Sequence, residues 1–185
     1  MTTRYRLDPG HSRFTVRASA AGLLSFLGHS PVFAVRDFAG AVEFPDDLIA
    51  NLRLGLTVGA GALAVAGEVK PGDRREIEDR MRAEVLETVS FPEVTYRAAA
   101  AATEKLAAGR YRVALDGTLE LHGVSRPHRA EAELAVFADG LRLRGQTGLR
   151  MSDFAIRPVT ALGGAIRLKD EVALAFDLAA VPEAS

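Results

Sequence analysis

Residues 111–137 read YRVALDGTLELHGVSRPHRAEAELAVF, and this stretch decides the fold. Tyr111, Val113, Leu115, Leu119 and Leu121 fall on odd positions, while Arg112, Asp116, Thr118 and Glu120 fall on even ones. That alternation is the mark of a strand with one apolar and one wet face. After Pro127 it returns, with Ala130, Ala132, Leu134 and Val136 on one face and Arg129, Glu131 and Glu133 on the other. Between the halves, His122-Gly123-Val124-Ser125-Arg126-Pro127 reads as the bend of an antiparallel hairpin, glycine supplying a positive φ and proline ending regular pairing. Asp139-Gly140 turns the chain into a third strand, Leu141 to Arg150, with Leu141, Leu143, Thr147 and Leu149 on one face. Three consecutive antiparallel strands form a meander that the rest of the chain must close.

The pattern continues outward. Phe14 and Val16 alternate with Arg13, Thr15 and Arg17. Val32 to Arg36 and Phe38 to Phe44 form one bent strand or two joined ones, with Gly40 marking a bulge or a close approach. Leu52, Leu54, Leu56 and Val58 make another strand, Val94 to Ala98 a further one, and Val172, Leu174, Phe176 and Leu178 the last. Ala20 to Leu27 is a short apolar stretch before Gly28-His29-Ser30-Pro31, a helical turn or a loop plugging one end; Ser152 to Leu168 is irregular. One helix is expected at about 73–88, capped by Asp73 with Glu76 in reciprocal position, its apolar stripe formed by Ile77, Met81 and Val85. It is placed across the sheet or over a barrel mouth. The sum is an all-β, antiparallel barrel of about eight strands with one amphipathic helix. Closure is the surest way for so many strands to lose their edges. A barrel of this size holds side chains or one small ligand. The small inward residues leave room for a ligand, against the alternative of a fully packed core.

The chain has 185 residues, enough for one domain spanning 1–185 that buries roughly 70% of its unfolded surface. Its 23 basic and 24 acidic residues leave a net charge of −1, so there is no electrostatic case for nucleic acid as a partner. Cysteine is absent, which excludes disulfides and thiolate chemistry. The first residues carry no apolar run of the kind that directs secretion, and no apolar run is long enough for a membrane span. A cytoplasmic protein is therefore expected.

Several dispersed segments resemble the YceI-like family of lipocalin-like barrels, over about Tyr5 to Val181. Tyr5-Arg-Leu-Asp8-Pro9-Gly10-His11-Ser12 is similar to the family's opening aromatic-x-(Ile/Leu)-Asp-x-x-His-Ser, and Phe38-Ala39-Gly40 to its Phe-x-Gly strand. Ser90-Phe91-Pro92-Glu93-Val94-Thr95-Tyr96 resembles its aromatic-Pro step, and Gly117-Thr-Leu-Glu-Leu-His-Gly-Val-Ser-Arg-Pro127 its central hairpin. Ser152-Asp153-Phe154 and Lys169-Asp170-Glu171-Val172 resemble the last loop and strand. Two departures stand out. The usual Arg-Asp-x-His-Leu segment is replaced by the Glu76 to Glu87 helix, and Met151 and Ala155 flank Ser-Asp-Phe in place of Arg and Gly.

The resemblance implies a deep apolar tunnel holding a polyisoprenoid or similar long-chain lipid, often in a homodimer, with no cofactor and no metal. It implies a ligand-contacting wall of Phe14, Val16, Phe38, Val42, Leu54, Leu56, Leu115, Leu119, Leu134, Leu149, Leu174 and Phe176, with Met81 and Val85 from the helix and Phe154 from the last loop. His29, in a mouth loop, could meet a head group.

The four histidines are the other candidates for chemistry. His11-Ser12 and His29-Ser30 pair a base with a hydroxyl, but neighbours on a strand point oppositely. Asp8 beside His11 makes a turn-fixing hydrogen bond the simpler role, and His122 at the hairpin bend is structural. No metal-ligand spacing is present. The leading expectation is a non-enzymatic lipid carrier or store. A hydrolase or other lipid-acting enzyme using His11 or His29 is the alternative, and a structural or interaction module with a filled core the third.

Overall fold

The computed structural model describes residues 2–21, 31–45, 48–157, 159–161 and 166–183. The meander is present as β7 (Arg110–Leu121), β8 (Val124–Phe137) and β9 (Gly140–Arg150). His122 and Gly123 carry the two positive φ values, 53° and 72°, of the tight turn between β7 and β8. Around the meander run β1 (Thr2–Ala21), β3 (Phe38–Pro45), β4 (Arg53–Gly59), β6 (Glu93–Ala107) and β11 (Ile166–Pro182). The ladder β1–β3–β4–β6–β7–β8–β9–β11 returns to β1, every pairing antiparallel, so the eight-stranded barrel is closed.

Three short strands lie outside this ring. β2 (Val32–Val35) and β5 (Leu63–Val65) extend the sheet beside the second half of β1, and β10 (Thr160–Ala161) pairs with the start of β11. Of the two readings of residues 32–44, the chain takes that of two strands, which share β1: β3 pairs with Thr2 to Arg6, β2 with Thr15 to Arg17.

β1 is one strand interrupted by a register shift between Asp8 and Arg13. The irregularity is knitted by side chains. Ser12 Oγ donates to Asp8 O at 2.5 Å and accepts Ala179 N–H at 2.9 Å, and Asp8 accepts Gly10 N–H at 2.9 Å. His11 Nδ1 lies 2.7 Å from Asp8 Oδ2, the turn-fixing role expected of it. That hydrogen bond, outweighing a small burial effect, holds the Asp8 carboxyl below its usual 3.8.

The helix departs from expectation in its start and its extent. α1 spans Pro71–Arg80 and continues as one π-helical turn, Met81–Val85. Asp73 is not its cap. Pro71 opens the first turn and Lys70 precedes it without a side-chain cap, because proline brings a preset φ and has no N–H in need of one. α1 packs beside β5 rather than filling the barrel: Met81 is buried against Phe33 and Val65, with Ile77 half-buried beside them. Arg74 donates to the carbonyls of Val65 and Gly67, and Glu78 accepts Val65 N–H at 2.9 Å. The side chains of one helix face therefore occupy the backbone groups of an edge strand, a device that blunts edge pairing. The Val65 amide bond, opposed by slight burial, keeps Glu78 below 4.5.

Candidate ligand site

The inward faces of the eight strands form one apolar core, graded along the barrel axis. Toward one end Leu7, Val42, Leu52, Val113, Leu115, Leu134, Leu141, Leu143 and Leu178 are at most 2% exposed. Toward the other, Phe38, Val58, Leu119, Leu121, Met151, Phe154 and Val172 are also buried. A belt of residues on the same inward faces is only half-buried: Phe14, Val16, Leu56, Ala98, Leu149, Leu174 and Phe176. These side chains face into the barrel and pack against its core, yet less completely than their neighbours. At Gly145 the Phe176 ring lies over the backbone, where a Cβ would come within 2.6 Å of its Cζ.

One polar group enters this apolar belt. His128 shares its face of β8 with Ala130, Ala132 and Leu134 and is half-buried. Its ring stands edge-on to that of buried Tyr96, centroids 5.8 Å apart. The Tyr96 hydroxyl donates to His128 O at 3.1 Å, and Thr147 Oγ1 lies 3.1 Å from His128 Nε2 and 3.3 Å from Arg129 O. A threonine hydroxyl has one proton. Given to the Arg129 carbonyl, it leaves Oγ1 to accept from His128 Nε2–H, which fixes the neutral tautomer. Burial lowers the His128 pKa below 6.5, and burial, with the Asp116 charge, pushes the Tyr96 phenol up to about 12. Both groups are neutral at physiological pH.

These hydrogen bonds stand where the backbone ladder stops. β8 and β9 pair only from Glu131↔Gln146 to Phe137↔Gly140, although β8 runs back to Val124 and β9 on to Arg150. Backbone carbonyls need donor partners in place of a lost ladder, and in this stretch His128 O and Arg129 O accept from side-chain hydroxyls. A 3₁₀ turn, Met151–Phe154, fills the end of the split. Its Asp153 O accepts Arg126 Nε–H at 3.2 Å and its Phe154 O accepts His122 Nδ1–H at 3.2 Å. His122 Nε2 lies 2.7 Å from Glu87 Oε2 and its ring packs on Phe91, so this histidine ties the hairpin to two loops, as expected of a structural residue.

The residues expected to form the wall divide by depth. Phe14, Val16, Leu56, Leu149, Leu174 and Phe176 belong to the half-open belt. Val42, Leu115 and Leu134 lie in the sealed zone at 0 to 1% exposure, and Phe38, Leu54, Leu119 and Phe154 are also buried. Val85 is half-buried against the main core, whereas Met81 serves the β2–β5 extension. His29, the apolar stretch over residues 22–27 and Gly163-Gly164 lie outside the described residues. Sequence reasoning passed over Tyr96, His128 and Arg126 as site residues. The signal for His128 was its even number, which puts it in register with Ala130, Ala132 and Leu134.

A pH dependence follows from His128. The unfolded chain takes up this proton near 6.5 and the folded chain only lower, so between the two values the unfolded state binds more protons and stability falls as pH falls. Melting temperature is therefore expected to begin dropping below about pH 6.5. His128→Asn should flatten that segment. It should leave the later drop, where Asp8, Glu78, Asp170 and Asp177, all held below their usual values, become protonated. For Asp177, burial pushes the carboxyl up, but hydrogen bonds from Arg144 and Arg142 outweigh it. Superimposable melting profiles of the two proteins across the upper window would contradict the assignment.

Among the described residues no helix is long and apolar enough to cross a membrane, and no cluster of side chains is suited to a metal. No curated protein matches the chain in sequence. Solved structures do match its fold. BcnA of Burkholderia cenocepacia superposes with a TM-score of 0.71 at 16% identity, covering 95% of this chain and 99% of its own. A polyisoprenoid-binding domain from Saccharophagus degradans, implicated in plant cell wall breakdown, gives 0.69 at 14% identity, covering 97% and 98%. The Campylobacter jejuni YCEI protein gives 0.60 at 15%, covering 82% and 84%. The model of the YceI-like domain matches residues 5–180, nearly the whole barrel from β1 to β11, and the chain belongs to that family.

Proposed function

We propose that this protein is a single-domain, non-catalytic binder of a long-chain amphiphile, a polyisoprenoid or a comparable lipid, held inside the barrel. The observation that supports this reading is the belt of half-buried apolar residues on the barrel's inward faces. An aliphatic chain laid against that belt gains about 25 cal/mol for each Å² removed from water, and such a ligand needs few polar anchors. The polyisoprenoid-binding domain of Saccharophagus degradans has the same fold. Against an enzymatic role, the hydroxyl next to the His11–Asp8 pair, Ser12 Oγ, is tied to the backbone at Asp8 O and Ala179 N–H, and the His128 ring bonds a threonine hydroxyl and no carboxylate of the described residues, where a triad requires a base aligned with both a nucleophile and a carboxylate.

Native mass spectrometry of the purified protein, followed by denaturing extraction, tests the reading. The expected result is an adduct, lost on unfolding, with the mass of a prenyl or acyl lipid; the same spectrum reports monomer or homodimer. A bare chain that also fails to take up added prenols and fatty acids would overturn it.

A further inference from the structure

The split between β8 and β9 opens into a cavity of about 800 Å³ lined by Arg126, Pro127, His128, Gly148, Leu149, Arg150, Asp153, Phe154 and Glu171. The strand register sorts these residues. Arg126 and His128 belong to the inward face of β8 and Leu149 to that of β9, while Pro127, Gly148, Arg150 and Glu171 belong to outward faces. The open pocket is thus bordered by residues of both faces of the barrel wall. Its inner rim, at Leu149 and His128, is part of the half-open belt.

Charge at the slot is unevenly engaged. Arg126 uses only Nε, on Asp153 O. Its two terminal amino groups have no acceptor among the described residues. The neighbouring Asp170 is occupied, accepting Ser152 N–H at 2.8 Å and Ser152 Oγ–H at 2.5 Å. Glu171 and Asp153 bring carboxylates to the outer rim, where Arg150 lies across from Glu171 in the ladder. His128 presents a neutral ring. The free donors of the inner rim are therefore those of a guanidinium, a fork matched to a carboxylate or a phosphate.

We propose that this slot seats the anionic head group of an amphiphile, a carboxylate or a phosphate on Arg126, with the aliphatic chain passing Leu149 into the belt. This rests on the interior being a lipid site and adds the head-group class and its place in the side wall. The test compares matched probes that differ only in the head group, oleate with oleyl alcohol and farnesyl phosphate with farnesol, titrated at mildly alkaline pH. At least one anion is expected to bind about tenfold tighter than its alcohol, the gain of one charge-assisted hydrogen-bonded pair; the pair with the larger ratio tells carboxylate from phosphate. Arg126→Gln, an exposed substitution that keeps a donor for Asp153 O, should abolish the ratio. Gly148→Cys gives a second handle, because the chain has no other cysteine and a Cβ there meets only the Glu171 side chain within 3.4 Å. A bulky maleimide on that thiol should abolish the ratio too. Alcohols that bind as well as the anions, a ratio that survives R126Q, or tighter binding of oleylamine would each overturn the proposal while leaving the interior site standing. Failure of every probe, alcohols included, would instead remove the interior site and this proposal with it.

Discussion

Leu143→Ala is expected to destabilise the protein by about 2–5 kcal/mol and to lower its melting temperature by roughly 10 °C, without changing ligand affinity per folded molecule. Leu143 is 0% exposed and sits in the ladder between Leu134 and Leu178, so the deleted atoms leave a cavity that the barrel cannot close. Leu174→Ala removes the same atoms from the same kind of inward position one zone along the axis. Leu174 is only half-buried, so its loss should cost about 1–2 kcal/mol but weaken lipid binding. The two variants, melted by circular dichroism and titrated with one prenol, separate a packing residue from a lining residue by a crossed pattern. Equal losses of stability with equal affinities would mean that the belt is ordinary core and the barrel holds no lipid.

That contrast also marks how far the sequence could be followed. Leu115 and Leu174 look alike on paper, each an inward leucine in an alternating strand, and period two placed both correctly on the core face. Their depth differs because position along the barrel axis is fixed by the stagger of all eight strands, which no single strand carries. The same holds for the slot. The alternation of β8 and of β9 is visible, but where their ladder ends at Glu131 and Gln146 depends on the 3₁₀ turn after β9 and on Tyr96 reaching in from β6. The continuity of β1 is hidden by Pro9-Gly10, part of an insertion that Asp8 and Ser12 stitch into the strand. At α1 a plausible carboxylate cap at Asp73 lost to the proline two residues earlier. Local pattern gave strands and faces; the lengths of pairing, and with them the opening, came from tertiary contacts.

Gly40→Ala is expected to be the most damaging single-methyl change in the barrel. A Cβ at Gly40 would lie 2.0 Å from Gly55 O and 3.0 Å from Leu56 Cα. Both are backbone atoms of the adjoining strand, where Gly40 is paired with Leu56, so no rotamer change can relieve the contact. Either β3 and β4 separate or their ladder distorts, and with it move Val42, Leu54 and Leu56, which these strands deliver to the interior. The expected cost is about 3 kcal/mol or more, a fall in melting temperature of roughly 10 °C, or recovery only in the insoluble fraction. Gly55→Ala is the matched control, in the same strand pair, since a Cβ there meets nothing within 4 Å. It should melt within a few degrees of the parent, as its effect stays near about 0.5 kcal/mol. Parallel melting curves for the two variants would show that the close approach of β3 to β4 is not what requires glycine. A large loss confined to G40A would give the glycine of Phe38-Ala39-Gly40 a physical reason: it lets two barrel strands approach more closely than any side chain permits.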